Sequence, residues 1–353
     1  MTREKPQRSI KVLIVDDSAA TRRALSKLLE TAPGLEVVGR AVDGEDGLKK
    51  ALQLKPDVIT LDLEMPKMDG YAFLRLLMAR QPTPVIVVSS YGHSSDVFKA
   101  LQLGAFDFVA RPTEEDDASF ATVRGELIEK LRSAPFMRRE EKTPPPSPKL
   151  KAPAPKVVEP ESAKLVLIGA STGGPPAVQK LLEALIGLPV CVVVAQHMPA
   201  RFTQAFAERL DQSLGFRVME AKSGDPIVPG RVYVAPGGEQ LELEERAAGG
   251  LSLVVKMNTA TDNHAPSVDR LFSSAAKVAP PGTRAVVLTG MGVDGAKGAL
   301  ALKKAGVEVW AEDESTAVVF GMPEAAIKAG AVAKVMPLEQ LGPALAKALR
   351  ERQ

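Results

Sequence analysis

The chain has 353 residues, a formal net charge of +2 and an ordinary globular composition. This length favours two domains, each long enough to bury a core of its own. Its single cysteine, Cys191, excludes an internal disulfide and lies in an apolar run typical of a protein core. Lys and Arg are spread along the chain rather than clustered, so we expect no nucleic-acid binding.

The N-terminus, residues 1–9, is polar and basic and lacks the apolar segment of a secretory signal. Along the whole chain, no apolar run reaches the roughly 18 residues that a membrane span needs. We therefore expect a cytoplasmic protein that does not insert directly into a membrane.

Residues 11–133 alternate short Val- and Ile-rich runs with amphipathic segments. The runs are apolar on both faces, as expected of buried parallel strands, and the segments between them have helical periodicity. The predicted strands are Lys11–Val15, Glu36–Val42, Asp57–Leu61, Pro84–Val88 and Phe106–Ala110. The predicted helices are Ala19–Glu30, Gly44–Leu54, Gly70–Ala79 and Ser94–Leu103. Five βα units predict a first domain, residues 1–133, that is a doubly wound parallel sheet.

Residues 134–163 interrupt this alternation and are rich in proline, from Pro144 to Pro155. Proline favours extended backbone and cannot sustain a helix, so we interpret the segment as a linker.

Residues 164–353 resume the α/β alternation and form the predicted second domain, again a doubly wound parallel sheet. Leu241–Glu245 and Leu251–Met257 flank a glycine-rich turn, which predicts an antiparallel hairpin inserted in this domain. The predicted strands of the sheet are Leu165–Gly169, Val190–Ala195, Arg231–Ala235, Arg284–Leu288 and Val307–Trp310. The predicted helices are Pro175–Leu185, Arg201–Leu214, Val268–Lys277, Ala296–Lys304 and Pro323–Ala329.

Acidic side chains follow two strands of the first domain. Asp16 and Asp17 end the first strand and Asp62 ends the third; Ser89 and Arg111 end the fourth and fifth. In such a sheet, ligands bind at the carboxyl ends of the strands. Three carboxylates together repel one another unless a cation joins them, and oxygen ligands suit Mg²⁺.

At these positions residues 11–133 resemble the receiver domain of two-component response regulators. The resemblance implies that Asp62 takes a phosphoryl group from a histidine kinase, while Asp16, Asp17 and Asp62 hold Mg²⁺. It places Ser89 and Arg111 beside the new phosphoryl oxygens and Phe108 at the aromatic switch position. Receivers usually have lysine where this chain has Arg111, a planar fork rather than a compact point charge.

In the second domain, glycines flank Ser171 between a strand and a helix. Such a turn exposes a hydroxyl and aims backbone N–H groups at a reacting oxygen. His197 follows the next strand and Asp294 follows a later one, which would complete a Ser/His/Asp arrangement. Two alternatives stay open: Ser171 as a helix N-cap or phosphate cradle, and His264 as the base instead of His197. His93, in a loop of the first domain, is expected to be solvated.

Several motifs together resemble the chemotaxis methylesterase family, CheB. They are Gly-Ala-Ser-Thr-Gly-Gly around Ser171, Gln-His-Met-Pro around His197, Pro-Ser-Val-Asp at 266–269 and Thr-Gly-Met-Gly-Val-Asp-Gly around Asp294. Ala-Pro-Gly-Gly at 235–238 and Gly-Met-Pro at 321–323 belong to the same pattern. The resemblance implies Ser171 as nucleophile, His197 as general acid and base, and Asp294 as its orienter. It also implies oxyanion-hole amides near Thr172 and Met291.

The family resemblance implies a phosphorylation-regulated hydrolase of glutamate methyl esters on chemoreceptor cytoplasmic domains, with glutamine deamidation as a second activity. The implied partners are these receptors and a chemotaxis-type histidine kinase. The implied cofactor is Mg²⁺ for the receiver, and none for the esterase. A response regulator with a binding-only output domain, or with a DNA-binding one, stays as an alternative from another class; the charge balance argues against DNA.

Overall fold

A computed structural model describes residues 9–89, 96–111, 117–136, 164–247, 249–259 and 262–351. The chain forms two compact units, which divide between Met137 and Arg138. Within the described residues, no helix is both long and apolar enough to cross a membrane.

The first unit is a five-stranded parallel sheet in the order β2-β1-β3-β4-β5. Its strands are β1 (Ile10–Val15), β2 (Leu35–Ala41), β3 (Val58–Leu61), β4 (Val85–Ser89) and β5 (Asp107–Ala110). Its helices are α1 (Ala19–Glu30), α2 (Gly44–Leu54), α3 (Gly70–Arg80), α4 (Asp96–Gln102) and α5 (Asp117–Ser133), followed by a short 3-10 helix at Ala134–Phe136. The strand order reverses at β1, so β1 and β3 are neighbours and their carboxyl ends adjoin.

The second unit is a seven-stranded parallel sheet in the order β14-β13-β12-β6-β7-β9-β8, together with the antiparallel hairpin β10–β11. Its strands are β6 (Lys164–Ala170), β7 (Val190–Gln196), β8 (Arg217–Glu220), β9 (Arg231–Val234), β10 (Glu239–Glu245), β11 (Leu251–Met257), β12 (Arg284–Val287), β13 (Glu308–Glu312) and β14 (Val332–Met336). Its helices are α6 (Gly174–Leu185), α7 (Phe202–Ser213), α8 (Val268–Val278), α9 (Ala296–Lys304), α10 (Gly321–Lys328) and α11 (Leu338–Arg350).

This architecture confirms the predicted fold class, two parallel α/β sheets with one inserted hairpin. Four helices or strands were given no bounds from the sequence: α5 in the first unit, where five βα units imply a helix after β5, and β8, β14 and α11 in the second unit. β8 and β14 are the two edge strands, and most of their side chains are not buried. An edge strand therefore lacks the continuous apolar run on which the strand predictions depended. The missed helix α11 contains Pro343, which argues against a helix in a sequence pattern.

One face of the seven-stranded sheet packs against α8. Leu165 and Leu167 of β6 and Cys191 and Val193 of β7 share a buried cluster with Val268, Leu271 and Phe272 of α8. The next residue on this face of β6 is Gly169, and a Cβ there would lie 2.3 Å from Val268 Cγ1. Glycine at this position therefore lets the start of α8 approach β6 closely, two residues before Ser171.

We expect Gly169→Ala to destabilise the protein by about 1–3 kcal/mol, because the added methyl overpacks a rigid contact between β6 and α8. Urea unfolding of the full chain measures the change. Gly215→Ala is the matched control, since its Cβ would meet only Ile186 Cγ2 at 3.3 Å, on a half-exposed side chain that can move. Equal stability of the two variants would contradict the expectation.

Candidate functional site

Ser171 lies directly after β6, in the turn that leads into α6. Its main-chain N–H donates to Thr289 O (3.0 Å), and its carbonyl accepts from Gly174 N (2.8 Å). Gly290 packs against this turn, since a Cβ there would lie 2.7 Å from Ser171 Cβ. The glycine thus allows the chain after β12 to reach the serine.

His197 occupies the matching position after β7. β6 and β7 pair in parallel with Ala170 opposite Gln196, and His197 N donates to Ala170 O (2.9 Å). Ser171 and His197 are therefore the next residues along two neighbouring strands. Within the described residues the Ser171 hydroxyl makes no hydrogen bond, to His197 or to any other group.

Asp294 holds the ring of His197, with Nε2 and Oδ2 2.8 Å apart. The turn after β12 carries the carboxylate to the start of α8, where three more donors meet it. Oδ2 also accepts from Val268 N (2.7 Å), while Oδ1 accepts from Asp269 N (3.0 Å) and Ser267 Oγ (3.0 Å). Four donors and a helix N-terminus stabilise the buried negative charge.

The charge state of Asp294 follows from these contacts. Burial alone would raise the pKa of its carboxyl, but the hydrogen bond and charge of His197, with the N–H groups of Asp269 and Val268, outweigh burial. The pKa consequently lies well below the ordinary value of 3.8. An ionised Asp294 accepts a hydrogen bond from Nε2–H of His197. In the tautomer that carries this proton, Nδ1 is the ring atom that can accept another.

His264, the alternative base, contacts His197 rather than Asp294. The two imidazole rings stack with centroids 4.2 Å apart and an angle of 10° between their planes. Burial lowers the pKa of His264, and the neighbouring His197 lowers it further, whereas Asp294 has the opposite effect. A neutral His264 ring therefore covers one face of the His197 ring. Of these two histidines, only His197 is hydrogen-bonded to Asp294.

Two main-chain donors near Ser171 are unused. Within the described residues, the N–H groups of Thr172 and Met291 donate no hydrogen bond. A hydrogen bond from Thr289 Oγ1 to Thr172 O (2.9 Å) holds the Thr172 turn in place. Both donors thus lie on turns next to the serine and are free to bond another oxygen.

Sequence reasoning missed one buried carboxylate of this region, Glu312 at the end of β13. Its side chain is fully buried and accepts from Thr289 N (2.8 Å) and Thr316 Oγ1 (3.1 Å). It therefore supports Thr289, and through Thr289 the Thr172 turn. The predicted strand Val307–Trp310 stops two residues before Glu312, so the position near a strand end was a signal in the sequence, whereas the two donors to Glu312 depend on tertiary contacts.

The acidic cluster of the first unit also assembles as its sequence positions suggest. One carboxylate oxygen from each of Asp16, Asp17 and Asp62 lies within 4.8 Å of the others. Burial and, after it, the charge of Asp62 together raise the pKa of Asp16 to about 6, against opposing effects of the Ser18 N–H group and Arg111. Among the described residues, Asp16 Oδ2 is buried without a hydrogen-bond donor. A buried carboxylate oxygen without a donor, with two further carboxylates beside it, fits a Mg²⁺ ion.

Arg111 is the cation of this pocket. Its Nη2 lies 2.7 Å from Asp62 Oδ2 and 3.5 Å from Asp16 Oδ2. The strand pairing explains its position, since β4 pairs with β5 and Arg111 N donates to Ser89 O (2.7 Å).

Of the remaining first-domain candidates, Ser89 is buried at the end of β4, and Phe108 is buried in β5 with its ring edge-on to Phe98, 6.1 Å between centroids. His93 lies outside the described residues.

Comparison with known proteins finds a family match for each of the two units. Residues 166–345 match the family model described as CheB methylesterase, and residues 12–121 match the response regulator receiver domain. The "Protein-glutamate methylesterase/protein-glutamine glutaminase 1" of Myxococcus xanthus is 54% identical over 98% of each chain. The chain belongs to the CheB methylesterase family. A similarly named protein of Anaeromyxobacter dehalogenans is 50% identical over 99% of each chain.

A solved structure extends the CheB match to the fold of the second unit. The catalytic domain of Thermotoga maritima CheB methylesterase is 40% identical, with a TM-score of 0.50, and the alignment covers 53% of this chain and 98% of that one. The family assignment therefore covers the sheet that carries Ser171, His197 and Asp294.

Asp294 should make stability depend on acid pH. Because its pKa is lower folded than unfolded, its contribution is complete above the unfolded value near 3.8 and is lost as pH falls below it. We expect Asp294→Asn to be clearly less stable than wild type at pH 7, and the difference to narrow towards pH 3.

Urea unfolding of the full chain at pH 7, 5 and 3 measures the difference. Glu245→Gln, which neutralises an exposed carboxylate on β10, is the control for loss of one charge. A constant gap between wild type and Asp294→Asn at all three pH values would show that folding does not favour the ionised carboxylate.

Proposed function

We propose that this protein is a phosphorylation-regulated methylesterase that hydrolyses γ-glutamyl methyl esters on chemoreceptor cytoplasmic domains and converts specific receptor glutamines to glutamate. The observation that carries the proposal is the His197–Asp294 hydrogen bond beside Ser171, at the ends of β7, β12 and β6. The names of full-length relatives at 50–54% identity supply the substrate class.

In the first half-reaction Ser171 Oγ attacks the γ-carbonyl carbon of the ester, and its proton passes to His197 Nδ1. The carbonyl oxygen becomes an oxyanion that accepts hydrogen bonds from the N–H groups of Thr172 and Met291. When the tetrahedral centre collapses, the C–O bond to the methoxy group breaks. His197 returns the proton to this leaving group, and methanol departs.

The second half-reaction repeats these steps with water as nucleophile. Water gives a proton to His197 and attacks the acyl-enzyme. The bond to Ser171 Oγ breaks, His197 returns the proton to Ser171 Oγ, and glutamate is released. A glutamine substrate follows the same path with ammonia as the leaving group. Asp294 stabilises the imidazolium at each stage, since its ionised carboxylate already bonds Nε2. Proton transfer of this kind contributes about 10²–10⁴-fold to a rate and one oxyanion donor about 10²–10³-fold.

The receiver supplies regulation. A chemotaxis-type histidine kinase provides the phosphoryl group that Asp62 accepts, and Asp16, Asp17 and Asp62 hold Mg²⁺. When bound, the ion neutralises negative charge on the carboxylates and on the incoming phosphoryl group. Arg111 and Ser89 bind the phosphoryl oxygens, and Phe108 is the switch residue.

The same proposal divides the chain into a receiver, residues 1–133, a linker, residues 134–163, and a catalytic domain, residues 164–353. It includes no nucleic-acid partner. The partners it requires are the receptors that carry the esters and the kinase that phosphorylates Asp62.

We expect methanol release from methylated receptor fragments by wild type, and a loss of at least about 10³-fold in Ser171→Ala, because no other group replaces the nucleophile. Acetyl phosphate with Mg²⁺ should raise the rate of wild type but not that of Asp62→Asn, which keeps the side-chain size but cannot form an acyl phosphate.

Ser213→Ala, at the end of α7, is the control for a serine-to-alanine change. Release that survives Ser171→Ala would contradict the proposed nucleophile. Stimulation that survives Asp62→Asn would contradict the proposed switch, and no release from any fragment would favour a binding-only output domain.

Arg111→Ala should bind Mg²⁺ about tenfold more tightly than wild type, because it removes a partly exposed cation from the carboxylates that would hold the ion. Titration calorimetry of the full chain with Mg²⁺ measures the change. Lys50→Ala, which removes the cation paired with Asp46, is the control. Unchanged or weaker Mg²⁺ binding by Arg111→Ala would show that the guanidinium does not compete with the ion.

A further inference from the structure

One buried amide joins the two turns that carry Ser171 and His197. Gln196, the last residue of β7, is 2% exposed. Its Nε2 donates to Ser171 O (2.8 Å) and to His197 O (3.1 Å). A single side chain thus bonds the main chain of both residues.

The orientation of this amide is determined by its partners. Both acceptors are carbonyl oxygens, so only the NH₂ group of Gln196 can face them. The oxygen, Oε1, therefore faces the opposite way, towards Gly174, where a Cβ would lie 2.0 Å from it. Residues 175 and 176, the next two of α6, are prolines and have no N–H to offer.

Oε1 is consequently buried without a hydrogen-bond partner among the described residues. A buried, unsatisfied carbonyl is unfavourable, and an apolar side chain of similar size would avoid it. Stability alone therefore does not account for glutamine at this position. The two bonds from Nε2 are what distinguish it from such an apolar side chain.

The proposed reaction needs a fixed distance between the Ser171 hydroxyl and the His197 ring, and the two bonds from Gln196 lie between the main chains of these residues. Ser171 and His197 belong to different turns, and no hydrogen bond joins their side chains within the described residues. The strand pairing ends with His197 N and Ala170 O, before the two functional side chains. Gln196 continues the link beyond that point, because its Nε2 bonds both carbonyls at once, whereas the other donor to Ser171 O, Gly174 N, belongs to the same turn as Ser171.

We propose that Gln196 is a positioning residue that sets the distance between Ser171 Oγ and the His197 ring, an inference that rests on the proposed function. Gln196 is almost fully buried, so we expect its amide not to contact substrate. Its loss should therefore lower kcat and leave KM unchanged. A displacement of about 1 Å between reacting groups can cost about 10²-fold in rate.

Gln196→Met tests the role, since methionine has similar length but no donor. We expect a 10- to 100-fold lower kcat for methanol release, an unchanged KM, and an unchanged midpoint in the pH profile, because the bonds go to carbonyls and not to the imidazole. A serine-directed fluorophosphonate, which bonds Ser171 Oγ as fluoride leaves, should react 10- to 100-fold more slowly with the variant. Gln179→Met on α6 is the matched control, since among the residues that the structure describes this amide bonds Glu183 alone.

The outcomes separate the two proposals. Absence of both methanol release and labelling at Ser171 in wild type would overturn the proposed function, and the role of Gln196 with it. An active wild type and a folded Gln196→Met with wild-type kcat and labelling rate, or with only a higher KM, would overturn the positioning role alone.

Gln196→Glu is a second variant, for the case that methionine at this position prevents folding. Glutamate keeps the side-chain shape of glutamine but has only acceptors while it is ionised. Once protonated, it can donate one hydrogen bond. We expect its activity relative to wild type to rise as pH falls. Loss of the cooperative thermal transition in both variants would assign Gln196 to stability and would overturn the positioning role.

Discussion

Parallel pairing at β6 is the constraint on which the second unit depends. β6 is the first strand of that sheet, and the chain extends outward from it through β7 on one side and β12 on the other. Three strands therefore end side by side at one edge, and each continues into a turn. Ser171, His197 and Asp294 come together because of this register, although more than 120 residues separate the first from the last. The receiver repeats the principle, with Asp16 and Asp62 after the neighbouring strands β1 and β3.

A buried carboxylate needs more than strand order. Asp294 would be costly in an apolar site, and the start of α8 removes that cost with two N–H groups and the Ser267 hydroxyl. α8 can reach the carboxylate only because Gly169 leaves room for Val268 against β6. The same helix, α8, therefore has two roles. Its apolar face packs against the sheet, and its N-terminal residues donate the hydrogen bonds that keep Asp294 ionised.

The sequence was sufficient for the fold class and for the residues at strand ends. Central strands such as β6 and β7 are continuous apolar runs, and a residue that follows such a run must emerge at the sheet edge. The pattern did not reveal β8, β14, Glu312 or the role of Gln196. Edge strands lack the buried run, and the contacts of Gln196 and Glu312 depend on which turn lies beside which strand end. That information is tertiary, so no periodicity along the chain contains it. The residues alone also left His264 open as an alternative to His197, since each histidine stands two residues before a proline. The hydrogen bond between the Asp294 carboxylate and the His197 ring separates the two.

The two acidic sites of this chain show how environment assigns different chemistry to the same side chain. Asp294 accepts hydrogen bonds from four donors, and its pKa lies below the usual value. Protein groups therefore stabilise its negative charge, and its carboxylate orients His197. Among the described residues, Asp16 has one backbone donor on Oδ1 and none on Oδ2, and burial together with the charge of Asp62 raises its pKa to about 6. Its charge is satisfied only in part, by an arginine 3.5 Å away. A metal ion adds little stabilisation to a carboxylate whose oxygens already accept hydrogen bonds from the protein. It adds much more to a carboxylate that lacks such donors. The difference explains why the same residue type serves as an orienting group in one unit and fits a cation site in the other.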